Sequence, residues 1–229
     1  MKEARFISVL IADDHPIVCE GLTSMINHER SLRVVAEANS WPQAIESASL
    51  YRPGLAILDL HMPGMEATDA IPLIREKSPG TRIIVLSAFG GDEDVFRALQ
   101  AGASGYLPKE AERESFHECI SAVREDKKWV HPSAACKLAD RIQSKDITSR
   151  ESEVLRLVAL GKSNQEIGTF LGVTEGTVKV HINHLFAKLG VDGRVAATML
   201  ALQRGFVHLP LVEESRNEDF DPREKRRAS

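Results

Sequence analysis

Residues 55–65 read LAILDLHMPGM, and this stretch decides the fold of the first half of the chain. The apolar run at 55–59 is short and lies between Pro-Gly pairs, which predicts a strand buried on both faces. Four similar runs occur, at 7–12, 33–38, 82–87 and 105–108. Amphipathic stretches separate them, near 16–28, 41–51, 67–77, 92–101 and 113–125. Five strand–helix repeats predict a doubly wound α/β fold, a five-stranded parallel sheet with helices on both faces.

Polar side chains stand where four of these strands end. Asp13 and Asp14 follow the first strand, and Asp59 closes the third. Ser87 closes the fourth strand and Lys109 follows the fifth. Because ligands of a parallel sheet collect at the carboxyl ends of its strands, we expect these side chains to meet there.

The chemistry of this set points to phosphoryl transfer. Three carboxylates repel one another unless a cation joins them, and Mg²⁺ or Mn²⁺ suits oxygen ligands of this kind. A hydroxyl and a lysine can hold the oxygens of a phosphoryl group. The strand ends therefore predict a metal-assisted site at which an aspartate accepts a phosphoryl group.

The second half of the chain has a purely helical pattern. Capping boxes of the S/T-x-x-E type occur at 148–151 and 163–166, and each opens an apolar run with helical spacing. A third helix is expected after Thr174, and a fourth over 194–204 that ends at Gly205. Residues 163–182, SNQEIGTFLGVTEGTVKVHI, predict a small all-α helix-turn-helix domain whose second helix enters the major groove of DNA.

The third helix has a polar face opposite its apolar stripe. That face carries an amide, cations, a hydroxyl and an outward valine, which together offer phosphate and base-edge chemistry. Its residues are Thr177, Lys179, Val180, Asn183, His184 and Lys188. The alternative is an ordinary amphipathic helix of a small bundle, because exposed Lys and Asn need no special explanation.

Composition excludes several classes of protein. The chain has 229 residues and a net charge of −4, and its three cysteines are scattered. This argues against a disulfide framework and a zinc knuckle, and no apolar run is long enough for a membrane span. We therefore expect a cytoplasmic protein.

The charge divides unevenly along the chain. Residues 1–125 have 12 Lys and Arg against 19 Asp and Glu, whereas residues 148–212 have 7 against 5. This gradient indicates two modules with different partners. We place the first domain at 1–125, a linker at 126–143, the helical domain at 144–209 and a disordered, highly charged tail at 210–229.

The first half resembles the receiver domain of two-component response regulators. The strings that carry the resemblance are VLIADDHPIVCEGL, LAILDLHMPGM, VLSA and GASGYLPKE, which begin at residues 9, 55, 85 and 102. The resemblance implies that a sensor histidine kinase phosphorylates Asp59. It also implies that Asp13, Asp14, Asp59 and the backbone carbonyl of His61 hold the metal ion.

Three further roles follow from the same resemblance. Ser87 matches the hydroxyl residue that moves towards the phosphoryl group, and Lys109 matches the lysine that pairs with it. Tyr106 matches the aromatic switch residue that turns inward on activation.

Residues 144–209 resemble the LuxR-type helix-turn-helix domain, on the string that runs from ITSRESEV at 147 to KLGV at 191. Together with the receiver, most of the chain thus resembles a NarL/FixJ-type response regulator. In that arrangement Lys179, Val180 and Asn183 read bases of double-stranded DNA. Thr177, His184 and Lys188 touch phosphates. The family dimerises through the fourth helix, which implies a homodimer, at least when phosphorylated, and RNA polymerase is an expected partner.

Two other functions remain open at this stage. The first is a transcription factor that does not depend on phosphorylation and uses its receiver only as a dimerisation scaffold. The second is an aspartyl-phosphate phosphatase, but such enzymes carry a second aspartate two residues after the nucleophile, where this chain has His61. We therefore expect that the protein is not an enzyme and has no catalytic residue.

Overall fold

The computed structural model describes residues 6–88, 90–143 and 147–207. The proposed tail at 210–229 therefore lies outside the described residues. The N-terminal domain alternates strands and helices in the predicted order. Its elements are β1 (Ile7–Ala12), α1 (Pro16–Asn27), β2 (Leu32–Ala38), α2 (Trp41–Tyr51), β3 (Leu55–Asp59), α3 (Ala67–Lys77), β4 (Arg82–Ser87), α4 (Asp92–Ala101), β5 (Gly105–Pro108), α5 (Arg113–Arg124) and β6 (Trp129–Val130).

The strands form one parallel sheet in the order β2-β1-β3-β4-β5-β6. The predicted doubly wound sheet is confirmed, but it has six strands rather than five. The sixth is β6, which pairs Trp129 with Gly105 and Val130 with Tyr106. A strand of two residues is too short to show a period of its own, and it falls inside the stretch we assigned to the linker.

Alternate residues of the central strands face two separate cores. Leu10 and Leu58 belong to the core beneath α2, α3 and α4, whereas Ile11 and Ile57 belong to the core beneath α1 and α5. All five residues of β3 are buried, as expected for a strand covered on both sides. This packing fixes the register of β1 and β3, and so it fixes which strand-end residues become neighbours.

The chain between the domains is a helix, α6 (Pro132–Gln143). It lies against α4, and Ala134 joins the core beneath that helix. The predicted linker therefore contributes both a strand and a docked helix to the N-terminal domain.

The C-terminal domain consists of α7 (Ser149–Ala159), α8 (Asn164–Leu171), α9 (Glu175–Leu189) and α10 (Arg194–Arg204). Both predicted capping boxes are present. The Thr148 N–H donates to the Glu151 side chain over 2.6 Å, and the Ser163 N–H donates to Glu166 over 2.8 Å. The helix-turn-helix formed by α8 and α9 is confirmed, and α10 ends at Gly205 with the expected left-handed conformation (φ 78°).

Candidate functional site

The strand register brings two carboxylates together at the carboxyl edge of the sheet. Ala12 of β1 is the register partner of Leu58 in β3, so the next residues, Asp13 and Asp59, are neighbours. Both are buried, with 1% and 3% of their surface exposed. Two adjacent buried carboxylates are unfavourable unless a cation compensates them.

Lys109 supplies part of that compensation. Its backbone N–H donates to the Ser87 carbonyl over 2.9 Å, which holds the residue at the edge beside β4. Its Nζ lies 2.6 Å from Asp13 Oδ2 and 3.0 Å from Asp59 Oδ2. Burial alone would lower the pKa of Lys109, but the two carboxylates outweigh burial and raise it.

One lysine does not balance this cluster. Burial raises the pKa of Asp59, Lys109 opposes that shift, and the charge of Asp13 adds to it. Asp14 lies at the same edge, and ligand atoms of Asp13, Asp14, His15 and Asp59 all fall within 4.8 Å of one another. The three carboxylates of this compact set carry excess negative charge, and their oxygens fit a divalent cation such as Mg²⁺ or Mn²⁺.

Ser87 and Tyr106 lie side by side at the ends of β4 and β5. Ser87 is 1% exposed and Tyr106 is 2% exposed, so the phenol ring points inward. Neither hydroxyl makes a hydrogen bond of good geometry to a described residue. Burial raises the pKa of Tyr106, and its hydroxyl fits closely against Gly90, where a Cβ would lie 2.2 Å from the oxygen. Two buried hydroxyls are thus positioned beside the acidic cluster.

A cavity of about 320 Å³ adjoins these hydroxyls. Ser87 and Tyr106 line it from the sheet, Lys137 from α6 and Leu202 from α10. Ser87 and Tyr106 therefore border a space that the linker helix and the C-terminal domain also line.

The first turn of α4 joins the two domains. Glu93 pairs with Arg141 of α6 over 2.5 Å, and both side chains are buried. Asp92 pairs with Arg204 of α10 over 3.0 Å, with 13% of each side chain exposed. Gly91 fits against the Arg204 backbone so closely that a Cβ would lie 2.1 Å from its carbonyl carbon. Four residues separate Ser87 from Asp92, so this contact lies one short loop from the acidic cluster.

The predicted DNA-reading face of α9 is open. Thr177, Lys179, Asn183 and His184 are exposed, and 53% of the Val180 side chain is exposed. Lys188 differs, because it is half-buried and its Nζ pairs with Glu151 of α7 over 2.8 Å. The structure thus groups five of the six residues on one surface and places the sixth in an ion pair within the domain.

Sequence reasoning missed two parts of the site. The imidazole of His15 points into the acidic cluster. The sequence prediction omitted His15 because it considered only the carboxylates that follow β1. The acidic turn 92–94 was visible as DED, but its arginine partners lie far along the chain and no local pattern predicts them.

No helix among the described residues combines the length and apolar content that a membrane crossing needs.

The fold and the acidic site define a receiver domain joined to a DNA-binding domain of the helix-turn-helix class. Family models agree: the response regulator receiver domain matches residues 9–121, and the LuxR family of bacterial regulatory proteins matches residues 145–201. The chain belongs to the NarL/FixJ-type response regulators, which join these two domains.

Individual relatives support the same assignment. The nitrate/nitrite response regulator NarL of Escherichia coli K12 is 36% identical over 208 residues, which are 87% of this chain and 96% of that protein. The response regulator VraR of Staphylococcus aureus Mu3 is 31% identical, over 88% of this chain and 99% of that protein.

A solved structure of RcsB from Salmonella enterica serovar Typhimurium is also similar. It is bound to a promoter in the presence of phosphomimetic BeF3−, at 27% identity and a TM-score of 0.66, over 86% of this chain and 98% of that one. Another structure contains two RcsB dimers bound to two parallel DNAs, with 27% identity and a TM-score of 0.63, over 87% of this chain and 99% of that one.

Proposed function

We propose that Asp59 accepts a phosphoryl group from a sensor histidine kinase, and that this modification controls DNA binding. The observation that carries the proposal is the burial of Asp59 beside Asp13 and Lys109, which raises its pKa and leaves the cluster short of positive charge. We keep the domain bounds that the sequence predicts: a receiver at 1–125, a linker at 126–143 and a DNA-binding domain at 144–209.

In this scheme an oxygen of the Asp59 carboxylate attacks phosphorus, while the bond from phosphorus to the histidine nitrogen of the kinase breaks and the imidazole leaves with its electron pair. Asp13, Asp14, Asp59 and the carbonyl of His61 would hold Mg²⁺ or Mn²⁺, which supplies charge neutralisation between the carboxylates and the incoming phosphoryl oxygens. Lys109, already 3.0 Å from Asp59, would pair with one of those oxygens. Ser87 would donate its hydroxyl hydrogen to another, and Tyr106 would keep its buried, inward position beside it.

The loop after Ser87 is the proposed route to the DNA-binding domain. A shift of Ser87 towards the phosphoryl group pulls on the loop that ends at Gly91. The Lys137 Nζ of α6 donates to the Gly90 carbonyl over 2.6 Å, so the loop is also bonded to the linker helix. Because Gly91 and Asp92 hold the end of α10, the shift weakens the Asp92–Arg204 contact and frees α10. Phosphorylation thus changes the populations of a docked and a released state.

The released domain is proposed to bind double-stranded DNA as a homodimer. A charge of +2 over residues 148–212 gives one copy few phosphate contacts, so two copies on a paired site bind more tightly. Val195 and Met199 of α10 are 80% and 63% exposed and offer an apolar face for pairing. The RcsB dimers on DNA support this arrangement.

On DNA, Lys179, Val180 and Asn183 would read base edges. Thr177 and His184 would contact phosphates, and Lys188 would join them only after leaving Glu151. The protein would then regulate transcription by contact with RNA polymerase in the cytoplasm, as a regulator rather than an enzyme.

The acceptor is tested by DNA binding with and without a small phosphodonor and Mg²⁺. Wild-type affinity in gel shifts is expected to rise about tenfold or more. Asp59→Asn should lose the whole increase, whereas Asp69→Asn, an exposed aspartate of α3, should keep it. An increase that persists in Asp59→Asn would place the phosphoryl acceptor at another residue, whereas no increase in the wild type would favour the phosphorylation-independent regulator. Release of phosphate from a generic aryl phosphate would instead favour the phosphatase.

The route through α4 has a separate test. Asp92→Asn weakens the Arg204 contact without changing the charge of the DNA-binding domain, so its affinity without phosphodonor is expected to rise several-fold. Asp126→Asn removes the same charge from a surface pair with Arg82 and serves as the matched control. Equal affinities for the two variants would exclude Asp92 from the switch.

A further inference from the structure

His15 brings a nitrogen atom into the acidic cluster. Its Nδ1 lies 2.8 Å from Asp14 Oδ1 and 3.0 Å from Asp13 Oδ1. The side chain is half-exposed, whereas Asp13 is buried, so the imidazole forms the solvent side of the cluster. None of the roles assigned above to the phosphoryl site uses this group.

The local backbone fixes the position of the imidazole. His15 is the N-cap of α1 and has extended backbone angles, and Pro16 restricts this preceding residue to that region. The His15 N–H donates to Asp13 Oδ1 over 2.9 Å, while the Val18 and Cys19 N–H groups donate to the His15 carbonyl. Nδ1 is therefore held against the carboxylates by the helix start.

The separations suit shared coordination of one ion. Two neighbouring ligands of an octahedral ion at about 2.1 Å lie about 3.0 Å from each other. Nδ1 stands at 2.8 and 3.0 Å from the two carboxylate oxygens, and Asp13 Oδ2 points to Lys109 instead. Asp13 Oδ1, Asp14 Oδ1 and Nδ1 thus form a triangle on one side of the cluster, with Asp59 within 4.8 Å.

We propose that His15 is a direct ligand of the receiver's metal ion, so that the site prefers first-row transition ions over Mg²⁺. Imidazole nitrogen is a good ligand for Fe²⁺, Co²⁺, Ni²⁺ and Zn²⁺, whereas Mg²⁺ favours oxygen donors and water. A site made of carboxylates alone favours transition ions less strongly. This inference rests on the metal site of the proposed function, and it states which ions that site prefers.

A competing arrangement uses the same distances. His15 could act only as a hydrogen-bond donor to the two carboxylates, in which case an incoming ion displaces it. Removal of the imidazole would then leave the preference between ions unchanged, or strengthen the binding of every ion. The two arrangements differ in whether the nitrogen touches the ion, and this can be measured directly.

The test uses the full-length, unphosphorylated chain with Mn²⁺, Co²⁺ and Mg²⁺ as probes. Pulsed electron paramagnetic resonance of bound Mn²⁺ is expected to show coupling to an imidazole ¹⁴N in the wild type and none in His15→Ala. In titration calorimetry, His15→Ala should weaken Co²⁺ about tenfold or more and Mg²⁺ less than twofold. Circular dichroism confirms that each variant is folded.

Two other histidines of the same domain provide matched controls. His28 bonds the Ser24 carbonyl and His117 pairs with Glu29, both away from the acidic cluster. His28→Ala and His117→Ala should keep the ¹⁴N coupling and the ion preference. Loss of coupling in either control would assign the nitrogen to an adventitious surface site and overturn the proposal.

The outcomes also separate this inference from the proposed function. Binding of Mn²⁺ and Mg²⁺ without ¹⁴N coupling would reject His15 as a ligand and leave the metal site intact. Failure of both ions to bind the wild type, or full binding to Asp59→Asn, would contradict the metal site itself. Equal weakening of Co²⁺ and Mg²⁺ in His15→Ala would reject the selectivity.

Discussion

Carboxylates behave in opposite ways in the two domains. In the receiver, burial raises the pKa of Asp59, and the neighbouring Asp13 adds to the shift. In the DNA-binding domain, hydrogen bonds to Ser163 and Lys162 lower the pKa of the exposed Glu166 to about 2. Glu151 follows the same direction, because Lys188 and the Thr148 N–H outweigh its slight burial and lower its pKa.

The direction of the pKa shift distinguishes two groups of carboxylates. Those with a lowered pKa stabilise a helix start, whereas Asp59, with a raised pKa, lacks enough positive charge around it. A capping-box glutamate accepts the N–H of its own N-cap residue, and a lysine of the same domain, Lys162 for Glu166 and Lys188 for Glu151, adds a second donor. The receiver aspartates are assembled by the sheet register, and Lys109 is the one lysine among the described residues that pairs with Asp13 and Asp59. In the proposed function, a divalent ion and a phosphoryl group from outside the chain complete this cluster.

Removal of the single cation should have the largest effect on this contrast. Lys109→Ala leaves Asp13 and Asp59 buried without their ammonium, and we expect a loss of about 2–3 kcal/mol in the free energy of unfolding of the receiver. Urea titration with far-UV circular dichroism measures this loss. Lys127→Ala, which removes a fully exposed partner of Glu125, should give no measurable change.

Removal of the buried charge should act in the opposite direction. Asp59→Asn replaces a carboxylate whose pKa is raised by burial, so at neutral pH the receiver should become more stable in the absence of Mg²⁺. Thermal unfolding measures the gain. Mg²⁺ should stabilise the wild type and not the variant, and a destabilised Asp59→Asn would contradict the imbalance we infer.

Those parts of the structure that depend on local pattern can be predicted from the sequence. Hydrophobic runs gave the five long strands, and the boxes at 148–151 and 163–166 gave the starts of α7 and α8. The grouping of Asp13, Asp59 and Lys109 also followed, because parallel strands bring their carboxyl ends to one edge.

The parts that could not be predicted depend on long-range contacts. The strand β6 has two residues and forms only because β5 offers its free edge. The partner of Asp92 is Arg204, on a helix more than a hundred residues away, and docking of one domain on another leaves no period in the sequence. The pairing of Lys188 with Glu151 likewise joins two helices whose packing is a property of the fold.

Removal of a helix cap in the DNA-binding domain should have a smaller effect that stays within that domain. Thr148→Ala removes the oxygen that accepts the Glu151 N–H, and the DNA-binding domain should lose about 1 kcal/mol. Thr169→Ala, in the interior of α8, is the matched control and should cost less than about 0.5 kcal/mol. Amide hydrogen exchange resolves the two domains, so an equal loss of protection in the receiver would show that the cap does not act locally.

The smallest effect is expected in the acid response of the second cap. Because the folded pKa of Glu166 lies near 2 and its ordinary value is 4.5, its contribution is complete above pH 4.5 and fades as the pH falls towards 2. Glu166→Gln should therefore flatten the acid dependence of DNA-binding-domain stability in this window. Asp59 has the opposite sign, since its raised pKa makes protonation easier in the folded state, so acid should relieve the receiver cluster. Domain-resolved hydrogen exchange from pH 5 to pH 3 tests both signs, and parallel acid responses in the two domains would refute the contrast between them.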